Sequence, residues 1–234
     1  MSLPYQPARP LDERPERYDF HAHTYCTDGE ASATDMWWAA EHLAHRALAI
    51  TDHVGFEDPK PLLTRLHEEA RAWEDQPMKT LVGVEITDVL PHKIAEAVRR
   101  ARTSGAQIVI VHGESIVHNV PPGTNRAALE NGDVDVLAHP GLLTPQEAEL
   151  AHAHDTILEL SGRAGHSLTN GHVARLALEA HVGLVVDSDA HTTHDLIPFR
   201  MAEMLAQGAG LPDREVRRTL AETPRALLRR CGRG

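Results

Sequence analysis

The residues best suited to chemistry in this chain are histidines and carboxylates that recur along its length. The first two, His21 and His23, are separated by one residue, and on an extended chain residues at i and i+2 point to the same side. Neutral imidazoles and carboxylates bind zinc, manganese and iron. Because the set is larger than one ion can use, it predicts two or three such divalent ions. The candidate ligands are His21, His23, Asp28, His53, Glu85, His112, His139, Asp189 and His191.

Seven short apolar runs, most of which end in a candidate ligand, predict the strands that position these residues. The runs lie at about 18–22, 47–53, 80–85, 107–112, 133–139, 156–160 and 183–191. Helical patterns lie between and after them, at about 34–46, 60–74, 92–103, 145–153, 170–180, 197–207, 213–222 and 224–230. Thr34 is the candidate N-cap of the first helix. This alternation is typical of a parallel sheet that is covered on both faces or closed on itself.

The polar ends of the strands favour a closed barrel over an open sheet. In a barrel the C-terminal ends of all strands meet at one rim, where barrel active sites lie. An open sheet would distribute the same residues along a line too long for one site. The sequence therefore predicts an α/β fold, a (β/α)7 barrel with a metal site at the C-terminal rim of the strands.

Length and composition indicate one globular domain. The 234 residues suffice for one sizeable core, and the net charge of −11 offers no basic excess for nonspecific nucleic-acid binding. Residues 1–17 are rich in proline and predict an extended N-terminal arm ahead of a single domain at 18–234. Two cysteines suit a reducing compartment, and no apolar run approaches the roughly 20 residues that span a bilayer. We therefore expect a cytoplasmic protein with no membrane partner.

Six short motifs carry a family resemblance: H-A-H-T with T-D-G (21–29), T-D-H (51–53), G-V-E (83–85), V-H-G (111–113), L-A-H-P-G (137–141) and S-D-A-H (188–191). In this order, over about residues 18–195, they resemble the polymerase-and-histidinol-phosphatase (PHP) superfamily. The resemblance implies a distorted seven-stranded barrel and a two- or three-metal phosphoesterase site. It also implies a division of the ligands in which Glu85 is shared between two ions. The implied sets are His21, His23, Glu85 and Asp189; Glu85, His112 and His139; and Asp28, His53 and His191.

The leading hypothesis is a metal-dependent hydrolase of a small phosphomonoester, in which a metal-bridging hydroxide attacks phosphorus in line with the leaving oxygen. Two rim loops, after the fourth and sixth strands, would contact the substrate. Arg163 and Arg126 are candidates to bind phosphate bidentately. His166, His118 and His172 are candidates to contact substrate or to transfer a proton. For Arg126 the alternative is a place at the start of a helix that faces solvent.

Two other functions stay open at this point. The superfamily also includes exonuclease modules, so a nuclease or nucleotide phosphodiesterase is the second hypothesis. The chain has no basic groove, which disfavours nucleic acid as a partner. A non-catalytic metal-binding scaffold is the third hypothesis. The sequence selects neither the substrate nor the oligomeric state.

Overall fold

The computed structural model describes residues 16–232, so residues 1–15 of the predicted arm lie outside the described residues. The strands within this range are β1 (Arg17–Asp19), β2 (His45–Ile50), β3 (His53–Val54), β4 (Lys79–Ile86), β5 (Ile108–His112), β6 (Val136–Ala138), β7 (Ile157–Ser161) and β8 (Leu184–Asp187). The α-helices are α1 (Ala33–His42), α2 (Lys60–Arg71), α3 (Ile94–Thr103), α4 (Thr124–Leu129), α5 (Pro145–Ala153), α6 (Asn170–Glu179), α7 (Phe199–Gly208), α8 (Asp213–Arg217) and α9 (Thr223–Arg230). Short 3-10 turns precede α3 and α6, and a π-helical turn joins α8 to α9. None of the described helices is long and apolar enough to cross a membrane.

The strands form one parallel sheet that curls into a distorted barrel, as predicted. Their order is β1-β2-β4-β5-β6-β7-β8, and the two-residue strand β3 pairs with the end of β4. The last and first strands meet beyond their ends, where Ala22 and Ala190 form a parallel bridge and His23 N donates to Ala190 O at 2.8 Å. All strand ends that carry candidate ligands therefore lie at one rim.

Alternation along the strands divides the core into two layers. Ile108 and Ile110 belong to the cluster inside the barrel, whereas Val109 and Val111 belong to the larger cluster between barrel and helices. Because side chains alternate with a period of two, the inward column of β5 continues to His112 at the strand end. The same parity places Glu85 above Leu81 on β4. The last inward position of each of these strands, at the rim, thus carries a candidate ligand, whereas inward positions below it carry apolar residues.

Helix α9 closes the opposite end of the barrel. Leu227 and Leu228 are buried in the interior cluster. Arg230 binds Asp135 and Asp155, which precede β6 and β7, at 3.2 and 3.1 Å. The interior is therefore filled from below, and the rim with the ligands is the end that opens to solvent.

Several boundaries differ from the sequence prediction, and the strand predicted at 47–53 is divided into β2 and β3. Arg17, assigned to the arm, is the first residue of β1 and is buried. Ser32, not Thr34, caps α1 by accepting a hydrogen bond from Asp35 N at 3.0 Å, and Asp35 completes a capping box. The helix ends at His42 because Ala44 adopts a positive φ of 62°, which leaves His45 to begin β2. Helix α4 is six residues long, too short for a periodic pattern to predict it.

Buried polar side chains join β1 to β8 where the barrel closes. The guanidinium of Arg17 donates to Asp19 Oδ2 at 2.7 Å and to Val186 O at 2.8 Å. Asp19 also accepts hydrogen bonds from the backbone and hydroxyl of Ser188, at 3.1 and 2.7 Å. These contacts, which we call the seam, take the place of a regular backbone ladder between the first and last strands.

Replacement of Arg17 by alanine should strongly destabilise the protein. The Asp19 carboxylate would remain buried without its cation, which costs about 3–5 kcal/mol of unfolding free energy. Arg200→Ala, which removes an exposed arginine that pairs with Glu203, should change it by no more than about 0.5 kcal/mol. Urea unfolding followed by circular dichroism measures both. Equal effects of the two substitutions would contradict the role given to the seam.

Candidate metal centre

The structure brings the predicted ligands together at the C-terminal rim. They form four overlapping groups, within each of which the donor atoms lie no more than 4.8 Å apart. Three groups are fully buried, and the fourth includes Asp28, whose side chain is 55% exposed. The groups are His21, His23 and Glu85; Glu85, His112 and His139; His21, His139 and Asp189; and His23, Asp28, His53 and His191.

The spacing of the buried donor atoms fits cation coordination better than direct hydrogen bonding. His21 Nε2 lies 3.4 Å from Glu85 Oε2, and His23 Nε2 lies 3.4 Å from Asp189 Oδ1. His139 Nε2 lies 3.5 Å from Glu85 Oε1. Ligand atoms that are each about 2.1 Å from one ion are about 3.4 Å apart in tetrahedral coordination. The observed separations match the distance between two ligand atoms that is expected in such coordination.

Several of these donors have no hydrogen-bond partner in the part of the chain that the structure describes. His21 Nε2, His23 Nε2 and Glu85 Oε1 are buried and unpaired. A buried polar atom without a partner costs about 1–3 kcal/mol, so native structures rarely leave several side by side. A divalent cation would satisfy all three at once. The donor set therefore fits divalent metal ions in its geometry and its chemistry.

The pKa values of the imidazoles move in both directions. Burial acts to lower the pKa values of His21, His53 and His139, but nearby carboxylates such as Glu85 raise them above the ordinary value, so that a bound cation would displace a proton there. Burial lowers the pKa of His23 to about 4 and that of His112 to about 4, so both imidazoles are neutral near pH 7. Burial alone would raise the pKa of Glu85, but the neighbouring imidazoles, His21 foremost, hold it well below its ordinary value. Neutral imidazole and ionised carboxylate are the forms that bind metals.

Outer hydrogen bonds orient two of the histidines. His21 Nδ1 lies 2.6 Å from Glu159 Oε2, and since the carboxylate only accepts, this nitrogen donates. His112 Nδ1 donates to Gly113 O at 3.0 Å. In the His21 ring the Nε2 lone pair is consequently free to point into the centre, whereas His112 Nε2 lies 3.1 Å from His118 Nδ1. Metal-binding histidines typically have such an outer acceptor.

Two ligands lie on unusual backbone at the ends of their strands. His139 has a φ of 26° and Asp189 a φ of 52°, positive values that L-residues rarely adopt. Each such residue costs on the order of 1–3 kcal/mol, and such strain concentrates at functional sites. The turn takes each side chain out of the regular strand alternation and toward the shared ligands.

Glycines in two of the sequence motifs allow the adjacent rim loops to touch. A Cβ atom on Gly113 would lie 2.3 Å from Ala138 O, and one on Gly141 would lie 1.9 Å from Glu114 O. Gly141 also has a positive φ of 66°. The close approach of the backbone at these glycines accompanies a centroid separation of 4.4 Å between the rings of His112 and His139.

The fourth group differs from the buried groups in its surroundings. Asp28 lies 3.5 Å from His53 Nε2 and 3.1 Å from His191 Nε2. Arg163 Nη1 donates to His191 Nδ1 at 2.7 Å, so Nε2 carries the ring proton in this arrangement. An ion here requires His191 to exchange Arg163 for the carbonyl of Asp189, 3.0 Å from Nδ1.

Two of the three residues predicted to bind substrate lie at the centre. Arg163 Nε is 3.9 Å from Asp189 Oδ2, and its side chain is 34% exposed at the rim. His166 is buried and stacks on His139 at 4.0 Å between ring centroids. Its Nε2 lies 3.8 Å from Asp189 Oδ2, while Nδ1 lies 2.6 Å from Ser115 Oγ.

The other rim candidates divide. Arg126 is not brought to the centre: it lies on α4, its side chain is 65% exposed, and it pairs with Glu130 at 2.8 Å. His172 Nε2 lies 2.6 Å from a backbone carbonyl and supports a loop. His118 does reach the centre, with Nδ1 3.1 Å from His112 Nε2.

The structure adds residues that the ligand pattern did not identify. Glu159 orients His21, and Ser115 orients His166. Asp52 accepts hydrogen bonds from Thr27 Oγ1 at 2.8 Å and from Thr24 N, and so holds the loop that carries Asp28. The one signal in the sequence was a carboxylate inside an apolar strand at Glu159, because an acid there needs a buried partner.

Replacement of Glu159 by glutamine should weaken metal binding by about 10–100-fold, because the His21 ring loses the charge that fixes its orientation. Isothermal titration of zinc or manganese into chelator-stripped protein measures the dissociation constant. Glu179→Gln, an exposed glutamate paired with Arg175, is the matched control and should bind metal like the unmodified chain. Unchanged affinity in Glu159→Gln would show that the contact does not support a ligand.

Comparison with known proteins agrees with this geometry. A family model described as PHP domain matches residues 19–197. An uncharacterized protein of Methanocaldococcus jannaschii is 39% identical over 92% of this chain and 99% of its own. Ribonuclease P protein component 3 of Methanosarcina barkeri is 28% identical over 93% of this chain and 90% of its own.

Among solved structures, histidinol phosphate phosphatase of Lactococcus lactis, complexed with zinc, L-histidinol and phosphate, shares the fold. The match covers 84% of this chain and 94% of the phosphatase chain, with a TM-score of 0.58 and 14% sequence identity. The family match spans strands β2 to β8 and all of the predicted ligands. This chain belongs to the PHP domain family.

Proposed function

We propose that this protein is a metal-dependent phosphoesterase that hydrolyses a small phosphomonoester. The observation that carries the proposal is the pair of buried ligand groups that share Glu85, whose two oxygens are unpaired within the described residues, as are the Nε2 atoms of His21 and His23. A shared carboxylate between two ion sites is the arrangement by which two-metal hydrolases clamp a phosphoryl group. Support also comes from the same fold in a phosphatase that is complexed with zinc and phosphate.

The buried residues would hold two ions, and the partly exposed group around Asp28 would hold a third. When bound, zinc, manganese or iron would acidify a water molecule and balance charge on the phosphoryl oxygens. The first ion would take His21, His23 and Asp189, and the second would take His112 and His139, with Glu85 common to both.

Arg163, beside the candidate ligands Asp189 and His191, would supply positive charge to a phosphoryl group at the rim. Its guanidinium is held at the rim by Asp189 O, at 3.1 Å, and by His191. A planar guanidinium offers two parallel donors to a phosphate, which fixes the orientation of the substrate as well as its position.

His166 supplies a neutral hydrogen-bond donor. His166 Nε2 lies 3.8 Å from the Asp189 carboxylate, which only accepts, so Nε2 keeps the ring proton and Nδ1 accepts from Ser115 Oγ at 2.6 Å. The ring proton on Nε2 thus faces Asp189 and the rim. Burial, with His139 next in size, lowers the pKa of His166 to about 3, so the ring stays neutral as it contacts a phosphoryl oxygen.

A second candidate is an RNA-associated subunit without turnover. It is favoured by the ribonuclease P protein component 3 of Methanosarcina barkeri, which aligns with nearly the whole chain. The net charge of −11 counts against it, because affinity for RNA depends on basic contacts to phosphate. The complete ligand set leads us to prefer the enzyme. A cytoplasmic location stays a prediction.

Metal-loaded protein should release inorganic phosphate from a panel of phosphomonoesters, and Asp189→Asn should lower kcat/KM by at least about 100-fold. This carboxylate lies in a buried ligand group, and loss of even outer contacts to metal ligands costs about 10–100-fold. The readouts are phosphate release and bound metal by mass spectrometry. Asp133→Asn, an exposed aspartate in the loop before β6, is the control and should match the unmodified chain.

Three results would count against the proposal. Metal-loaded protein that is inactive on every monoester but binds RNA would favour the RNA-associated subunit. Cleavage of single-stranded nucleic acid or of nucleotide diesters in preference to monoesters would favour a nuclease. Full activity in Asp189→Asn would remove the assigned centre from the reaction.

A further inference from the structure

A groove of about 920 Å³ opens directly beside the ligands. It has the size of a pocket for a small organic molecule, whereas the space enclosed by the ligands themselves measures about 160 Å³. Three candidate ligands form its inner wall, so a molecule in the groove touches the metal centre. The lining residues are Thr27, Asp28, His53, Gly55, Phe56, Glu57, Thr87, Asp88, His112, Val117, His118, Asn119 and Val120.

One wall of the groove is apolar and held in place. Phe56 is 45% exposed and Val117 is 45% exposed, and both line the groove. Arg100 Nη1 donates to Phe56 O at 2.7 Å, and its guanidinium carbon lies 5.1 Å from the centre of the Phe56 ring. Lys93 Nζ lies 5.5 Å from the same ring. An aromatic ring that is exposed but braced by two cations is a ready surface for an apolar group.

The charges along the groove have one sign. Among residues 16–232, the charged side chains that line it, other than histidines, are Asp28, Glu57 and Asp88, with no lysine or arginine among them. Glu57 is held toward the groove floor, where its Oε1 accepts from Gly55 N at 2.9 Å. Arg163 lines the enclosed space at the ligands but not the groove. The centre thus has a cationic side and an acidic side.

We propose that the groove binds the alcohol part of the phosphomonoester, and that this part is an apolar ring or branched chain without negative charge. The inference rests on the proposed function. Arg163 would take the phosphoryl group on one side of the ions while the leaving group contacts Phe56 and Val117 on the other. Glu57 and Asp88 repel substrates that carry a second anionic group and accept those that are neutral or cationic.

Three aryl phosphates of nearly equal size test the charge preference: 4-methylphenyl, 4-(aminomethyl)phenyl and 4-carboxyphenyl phosphate. With metal-loaded protein, kcat/KM should be highest for the aminomethyl compound and about tenfold lower for the carboxy compound, because two exposed carboxylates act together. The double substitution Glu57→Gln with Asp88→Asn should remove that difference and leave the methyl compound unchanged.

Methyl phosphate, which is too small to enter the groove, tests the apolar wall. Phe56→Ala should lower kcat/KM for 4-methylphenyl phosphate about tenfold, the size of one lost aromatic contact. Its kcat/KM for methyl phosphate and its bound metal should not change. Met201→Ala, an equally exposed apolar residue on α7, is the control and should not affect either substrate.

Binding of the three corresponding benzylphosphonates, which do not hydrolyse, separates this inference from the proposed function. Charge-dependent and Phe56-dependent binding without turnover of any phosphate would support the groove and overturn the phosphoesterase. Turnover of aryl phosphates with no dependence on Phe56, Glu57 or Asp88 would overturn the groove and leave the phosphoesterase standing. A preference for the carboxy compound would overturn the charge assignment.

Discussion

A buried carboxylate surrounded by imidazoles is the interaction on which the rest of this structure depends. Glu85 is fully buried, and nitrogen atoms of four histidines lie 2.8–3.7 Å from its oxygens. A charge in a protein interior costs several kcal/mol unless opposite charge is supplied at close range. Against the effect of burial, Glu85 helps to raise the pKa values of His21, His53 and His139, so these imidazoles supply part of that charge. The arrangement is therefore complete when cations join the carboxylate, which explains why a barrel should carry so many polar groups at one end.

The fold meets this constraint by closing irregularly. A regular ladder of backbone hydrogen bonds between β1 and β8 would keep both strands straight and paired side by side. Instead, the segments that follow β1 and β8 meet at a single bridge between Ala22 and Ala190. Side chains make the remaining contacts between the two strands. Asp187 Oδ1, for example, accepts from Phe20 N at 2.8 Å, as a backbone carbonyl would in a ladder. The irregular closure leaves room at the rim for ligands from both strands.

The clustering of the candidate ligands could be predicted because all of them except Asp28 lie where an apolar strand ends, and parallel strands in a barrel share one rim. Strand and helix limits were accurate where pattern and cap agreed, as in Pro145–Ala153 with Thr144 as N-cap. Arg126 was harder, because the sequence does not show which face of a six-residue helix turns toward the rim. Glu159 belongs to the strand interior, and its role depends on which ring faces it across the barrel. Such relations depend on long-range packing, which local patterns do not encode.

The seam has a further consequence for how an ion would act on the whole chain. His21 and His23 follow β1, whereas Asp189 follows β8, so an ion shared by them would span the line along which the barrel closes. The hydrogen bond between Asp19 and Ser188 already joins residues 169 positions apart. An ion beside it would be a reversible cross-link that closes one of the longest loops in the chain. The ion and the seam close the same loop, so the entropy cost of closing it arises only once. Metal availability would then govern how tightly the barrel is shut, in addition to its chemistry.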